Sequence, residues 1–145
     1  MPMHPYQAGP TASALLQRAL QRYPDRTAFR WDAGALTYRA TAETIGRYQA
    51  VLHDAGLGPG TRVAILAANQ VEAWCAGQAA IASGMVTTAL HQLGSLDDHL
   101  FQLQDFGAQV LIADAVGFGE RAQALAARHA GLQQVYTLQD HKGSA

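Results

Sequence analysis

Gly117-Phe118-Gly119-Glu120-Arg121-Ala122 follows the apolar run Val110-Leu111-Ile112-Ala113 and fits the G-x-G-x-x-A spacing of a turn that cradles a pyrophosphate. Such a turn works because glycines let backbone N–H groups approach the anion at the amino end of the next helix. Asp140, beyond the following apolar run, stands near the spacing of an acid that would hold ribose hydroxyls. Two features oppose this reading. Asp114-Ala115-Val116 separates the strand from the first glycine and slackens the turn, and an aspartate at the strand end repels phosphate. A dinucleotide site through Gly117 and Gly119 therefore stands as an alternative, with a helix expected from about Glu120 to His129. A second cluster, Gly56, Gly58 and Gly60, ends a helix and leads into a strand. That order is the reverse of what a phosphate loop requires, so it reads as a structural turn.

Other chemistry-bearing residues are few. His91 follows the strand reading Met85-Val86-Thr87-Thr88-Ala89. Ligands of open α/β sheets gather outside the carboxyl ends of strands, which makes His91 the weak candidate for ligand contact. The competing reading is an exposed or locally hydrogen-bonded loop histidine. His99 falls one turn into a helix, and the histidines show no metal spacing. Cys75 has no neighbouring His or Lys in sequence to activate it and reads as a small buried hydrophobe. Asp97 and Asp98 are adjacent and point about 100° apart on a helix, so they suit capping and not paired acid–base work. No catalytic residue and no metal site is expected within the chain.

The elements that would position these residues are legible from turns and periodicity. Thr11 or Ser13 caps a first helix with apolar face Leu15, Leu16, Ala19, Leu20 and Tyr23, stopped by Pro24. A hairpin follows, Thr27-Ala28-Phe29-Arg30-Trp31 and Ala35-Leu36-Thr37 around Asp32-Ala33-Gly34. A second helix carries Ala42, Ile45, Gln49 and Leu52 and ends near Gly56, a residue free to take positive φ. The short apolar segment Arg62-Val63-Ala64-Ile65-Leu66-Ala67 is what a strand buried on both faces looks like. Asn69 with Glu72 three residues on predicts a capped third helix ended by Gly84. Ser95-Leu96-Asp97-Asp98 predicts a fourth, with Leu96, Leu100, Leu103 and Phe106 inward and Gly107 as the stop. Gln134 to Leu138 is the last strand. The alternation predicts an α/β layered, mostly parallel sheet with helices on both faces.

Composition excludes several classes. The 145 residues carry net charge −1, with ten basic and eleven acidic side chains, so nucleic acid has no electrostatic handle. One cysteine excludes an internal disulfide. No apolar run reaches the roughly 18 residues that a membrane span needs, and a cytoplasmic setting is expected. A chain 49% hydrophobic and 14% charged folds, and keeps apolar surface suited to a neighbour or to a homo-oligomer. Residues 1–10 read as a flexible leader, 11–140 as the folded α/β subdomain, and 141–145 as a cut end.

The order of these signals resembles the amino-terminal part of adenylate-forming ligases, the acyl-CoA synthetase and luciferase superfamily. Pro24-Asp25-Arg26, Thr37-Tyr38, the Gly56-to-Ala64 loop with Thr61 where Asp is usual, and Asn69 with Glu72 carry the resemblance. It implies the large amino-terminal domain of an acyl-CoA synthetase-like fold. It implies an activity, too: a fatty or aryl acid is activated with ATP and Mg2+ to an acyl-adenylate, then passed to coenzyme A. Family members hold the phosphates on a Ser/Thr/Gly-rich loop bearing a lysine and use a second lysine near the far carboxyl terminus. Neither motif can be placed here, and the one lysine, Lys142, lies outside any such loop. The expectation is a scaffold piece, inactive alone, whose partner is the remainder of its own ligase chain. A stand-alone, non-enzymatic α/β interaction module is the other alternative.

Overall fold

The computed structural model describes residues 10–139, which fall into two compact units, one ending at Thr44 and one beginning at Ile45. Asp140 and Lys142, and nearly all of the expected leader and cut end, lie outside the described residues.

The first unit holds helix α1 (Ala12–Arg22), the hairpin β1 (Thr27–Trp31) and β2 (Gly34–Thr37), and the start of helix α2 (Tyr38–Asp54). Thr11 caps α1 by accepting the Ala14 N–H at 3.1 Å. Of the expected apolar face only Leu20 is buried, whereas Leu15 and Tyr23 are exposed. The hairpin is antiparallel, with Trp31 opposite Gly34. The buried stripe of α2 also differs from the expected one. Thr41 and Thr44 are buried and Ala42 is exposed. Threonine can occupy those positions because each hydroxyl donates back to the preceding turn, Thr41 to the Thr37 carbonyl and Thr44 to that of Ala40.

The second unit contains the remainder of α2 and a four-stranded parallel sheet. Its strands are β3 (Arg62–Leu66), β4 (Val86–Ala89), β5 (Val110–Asp114) and β6 (Gln134–Leu138), in the order β4-β3-β5-β6. Helices α3 (Val71–Ala82), α4 (Leu96–Phe106) and α5 (Ala115–Arg128) make the crossovers. The step from β3 to β4 runs one way along the sheet and the next two steps run the other way. Right-handed crossovers therefore place α3 on one face and α4 with α5 on the other.

Packing agrees. Ala64, Leu66, Leu111 and Ala113 share a core with Leu103 of α4 and Ala122 and Leu125 of α5. On the opposite face α3 comes close enough to β3 that a Cβ on Gly77 would stand 3.3 Å from the Ile65 Cδ1. Every residue of β5 is buried. This matches the nearly unbroken apolar reading of a strand covered on both sides.

Three helix-to-strand returns share one device. After α2, α3 and α4 the chain closes on Gly56, Gly84 and Gly107, each at φ between 68 and 76°. In each return the next residue's N–H reaches the carbonyl five back, as in Leu57 to Leu52 at 3.1 Å, Met85 to Ala80 at 3.0 Å and Ala108 to Leu103 at 2.9 Å. These are Schellman closures, which glycine permits because it has no Cβ to strain at positive φ.

Candidate functional site at the carboxyl edge of the sheet

The adjacent strands β3 and β5 send their helices to opposite faces. Their carboxyl ends thus form the switch point at which α/β sheets open a crevice. Residues 67–70, residues 90–95 and the start of α5 surround it. Each helix that begins at this edge carries acid in its first turn or at its cap.

The α4 terminus is a full capping box. Ser95 Oγ accepts the Asp98 N–H at 3.1 Å, and Asp98 accepts both the Ser95 N–H at 3.0 Å and the Ser95 hydroxyl at 2.7 Å. Those bonds, the hydroxyl's first, hold the Asp98 carboxyl below its usual range. A lowered folded-state value means that Asp98 stabilises the fold at pH above the ordinary carboxylate range and loses that contribution as acid titrates it. The difference in urea midpoint between wild type and Asp98→Asn is therefore expected to be constant from neutral pH down to about pH 5 and to vanish towards pH 2.

α3 begins differently from expectation. Asn69 is not its cap. Gln70 is, in extended conformation and with no side-chain cap bond. The Gln70 Nε2 is buried with no acceptor. Glu72 occupies the first turn and is buried. Its charge, after burial itself, pushes up both the Tyr48 hydroxyl and the Cys75 thiol, the latter to about 11, with Arg47 opposing in each case. Cys75 is fully buried. Its alkylation by iodoacetamide at pH 8 is expected to be about 100-fold slower in the native chain than in urea, followed by mass spectrometry.

α5 settles the glycine motif. The helix starts at Ala115, directly after β5, and not near Glu120. Gly117 and Gly119 are thus helical residues, and no glycine loop exists between strand and helix. Asp114 caps the terminus by accepting the Val116 N–H at 3.0 Å. A Cβ at Gly117 would stand 2.9 Å from the Asp114 Oδ2, so the carboxylate fills the space a phosphate would need.

His91 is exposed in the loop after β4, and its Nδ1 accepts the Leu93 N–H at 3.2 Å. The side chain that sequence reasoning missed is His99, which is fully buried. The Arg121 guanidinium lies 3.0 Å from His99 Nδ1 and donates to the Gly94 carbonyl at 3.0 Å. Guanidinium can only donate, so Nδ1 accepts and Nε2 carries the proton, donated to the His91 carbonyl at 2.7 Å. This imidazole–guanidinium clamp ties the loop to α4 and α5. The only signal in the sequence was a histidine in a buried helical position with an arginine 22 residues on, a separation with no periodic meaning. Around the clamp, Leu93 and Val116 project into solvent, 85% and 81% exposed.

Comparison with known proteins decides the family. Residues 16–144 match the AMP-binding enzyme family. The chain belongs to it. Among its relatives in Mycobacterium tuberculosis are the medium/long-chain-fatty-acid–CoA ligases FadD8 and FadD6. FadD8 is 37% identical over 125 residues, covering 86% of this chain and 22% of that protein. FadD6 is 34% identical over 128 residues, covering 87% and 21%. The chain thus spans about a fifth of the length of the curated relatives it matches.

Solved structures share the fold. The amino-terminal domain of FACL13 from M. tuberculosis superposes with TM-score 0.80 at 23% identity, over 87% of this chain and 33% of that one. The anthranilate CoA ligase AuaEII, in complex with anthranoyl-AMP, superposes with TM-score 0.83 at 18% identity, over 94% and 27%. The layered α/β architecture read from the sequence is that of the amino-terminal domains of acyl-CoA synthetases. Among the described residues no helix is long and apolar enough to cross a membrane, and no three His, Cys, Asp or Glu side chains gather to hold a metal.

Proposed function

We propose that residues 11–140 are the amino-terminal scaffold of an ATP-dependent carboxylate–CoA ligase. The single observation that carries this reading is the family match over residues 16–144 together with identity to two fatty-acid–CoA ligases. In this reading the whole enzyme uses ATP, Mg2+ and coenzyme A on a fatty or aryl acid in the cytoplasm, and the remainder of the ligase chain is this segment's partner.

ATP phosphates do not fit the described residues. Asp114, Asp98 with Asp97, and Glu72 sit at the three helix starts of the carboxyl edge and oppose an anion there. No lysine falls among residues 10–139. Adenylyl transfer needs fixed cations or amide donors around developing phosphate charge, so the chemistry is assigned to later segments. This segment's part is to hold the crevice: the acids finish the helix termini, the clamp fixes the β4–α4 loop, and His91 is its candidate for ligand contact. Its remaining ring atom for that purpose is Nε2, since Nδ1 is engaged by Leu93.

The test is a chimera in which this chain replaces the matched segment of FadD8. Pyrophosphate release with ATP, Mg2+ and a medium- or long-chain acid is expected from the chimera and not from the 145-residue chain. A folded chimera without that activity, or turnover by the chain alone, would overturn the reading. The exposed side chains Leu93, Phe101 and Val116 are the reason to test for a homo-oligomer, which sedimentation velocity would register.

A further inference from the structure

The β4–α4 loop, residues 90–95, is fastened by two imidazoles, and each fastening needs an unprotonated Nδ1. His99 Nδ1 accepts from the Arg121 guanidinium at 3.0 Å, and His91 Nδ1 accepts the Leu93 N–H at 3.2 Å. The two differ in what they hold. The His91 bond stays within the loop, at the surface. The His99 ring is fully buried, and the Arg121 Nη1 bonded to it also donates to the Gly94 carbonyl at 3.0 Å. A proton on His99 Nδ1 would turn the acceptor into a donor and set two cations in direct contact. Nε2 donates to the His91 carbonyl at 2.7 Å in either state, so that bond survives. What gives way is Arg121, the partly exposed partner, whose long side chain can swing into solvent.

The groups around the ring permit this. Arg121 comes from α5, where its neighbour Glu120 is exposed. On α4, Asp98 precedes His99 directly, and its carboxyl is held low by the Ser95 hydroxyl and N–H bonds. It therefore stays ionised through the interval in which histidines titrate, and its charge favours a proton on the ring. Asp114, at the end of β5, is engaged by the Val116 N–H at 3.0 Å. His91 presents its carbonyl to His99.

We propose that the His99–Arg121 clamp is a proton-operated latch. One proton taken up at His99 Nδ1 frees Arg121, and the loop lets go of α5 at Gly94 while the His91 carbonyl keeps it tied to α4. The closed loop binds one proton fewer than the open one, so closure weakens as pH falls. His91 and Leu93, which border the crevice at the carboxyl edge, move with the loop. The inference rests on the clamp and not on the ligase reading.

NMR on the 145-residue chain between about pH 8 and about pH 5 tests it. The imidazole nitrogen shifts of His99 are expected to report the Nε2–H tautomer at the upper end. As that ring titrates, the resolved Arg121 Nη signals are expected to collapse. Protection of the Gly94 amide, corrected for intrinsic exchange, is expected to fall about tenfold on the same curve, while that of β5 holds. His91→Asn keeps an acceptor for the Leu93 N–H that cannot titrate, so the response is expected to persist. His99→Gln keeps a donor for the His91 carbonyl and removes the titrating ring, so the response is expected to vanish. In the unmutated chain, a His99 ring that stays neutral to about pH 5, or that titrates without change at Gly94 and Arg121, would overturn the proposal. A response that survives His99→Gln, or is lost in His91→Asn, would assign the proton to another group and overturn it too. Loss of β5 protection on the same curve would mean that the proton unfolds the sheet and that there is no latch.

Discussion

Replacing Leu111 with alanine is expected to remove about 2–5 kcal/mol of stability. Leu111 lies in the interior strand β5, has no exposed surface, and sits in the cluster formed by Ala64, Leu66, Leu103, Ala122 and Leu125. Its neighbours in that cluster include four alanines, Ala64, Ala108, Ala113 and Ala122, whose side chains cannot swing into the vacated volume. Relaxation is therefore limited and the cavity term stays large. A domain of this size has a net stability of about 5–15 kcal/mol, so the loss consumes a substantial fraction of it. The measurement is a urea titration by circular dichroism, in which the midpoint is expected to fall by about 1–2 M at unchanged slope. Leu93→Ala is the matched control. Leu93 is 85% exposed, and the same chemical deletion there should change stability by less than about 0.5 kcal/mol. Equal effects at both positions would mean that Leu111 does not lie in the packed core.

Gly94→Ala is the second large effect, and it acts through contact and not through a void. The new Cβ would stand 2.6 Å from His99 Nε2, 2.9 Å from its Cδ2 and 3.1 Å from the His91 carbonyl oxygen. A flexible surface side chain would move aside. His99 cannot do so freely, because its ring is fully buried and bonded at both nitrogens. Either the loop shifts or the clamp opens, leaving buried polar groups without partners. The expected cost is about 2–4 kcal/mol from overpacking and lost hydrogen bonds. A double-mutant cycle with Arg121→Met separates this from a local backbone effect. If the clash acts by breaking the clamp, the two losses will be strongly sub-additive. Full additivity would detach Gly94 from the network.

Much of this architecture was legible because local and tertiary demands agree. Gly56, Gly84 and Gly107 mark helix ends that need positive φ, and Ser95 with Asp98 spells a capping box. Leu96, Leu100, Leu103 and Phe106 recur at helical spacing and do pack inward. The failures lie where the two demands part. Two glycines disfavour helix from residue 117 to 119, yet α5 runs through them, held at its start by the Asp114 cap and packed against β5 and β6. Asn69 has the composition of a cap, but the helix begins after Gln70. Thr41 and Thr44 look like solvent-facing residues until their hydroxyls are seen to bond backward. The His99–Arg121 clamp joins elements through the order of strands, which no local pattern encodes.

The Schellman glycines all lie on one side of the sheet, at the amino ends of the strands, and the capping acids all lie on the other. Mutational tolerance should be divided in the same way. At the glycine side the backbone itself sets the requirement, so any side chain is penalised whatever its chemistry. At the acid side the requirement is a polar acceptor, which several residue types can supply. The loops at the carboxyl edge are thus the ones this architecture leaves free to diversify, while the returns behind them stay fixed.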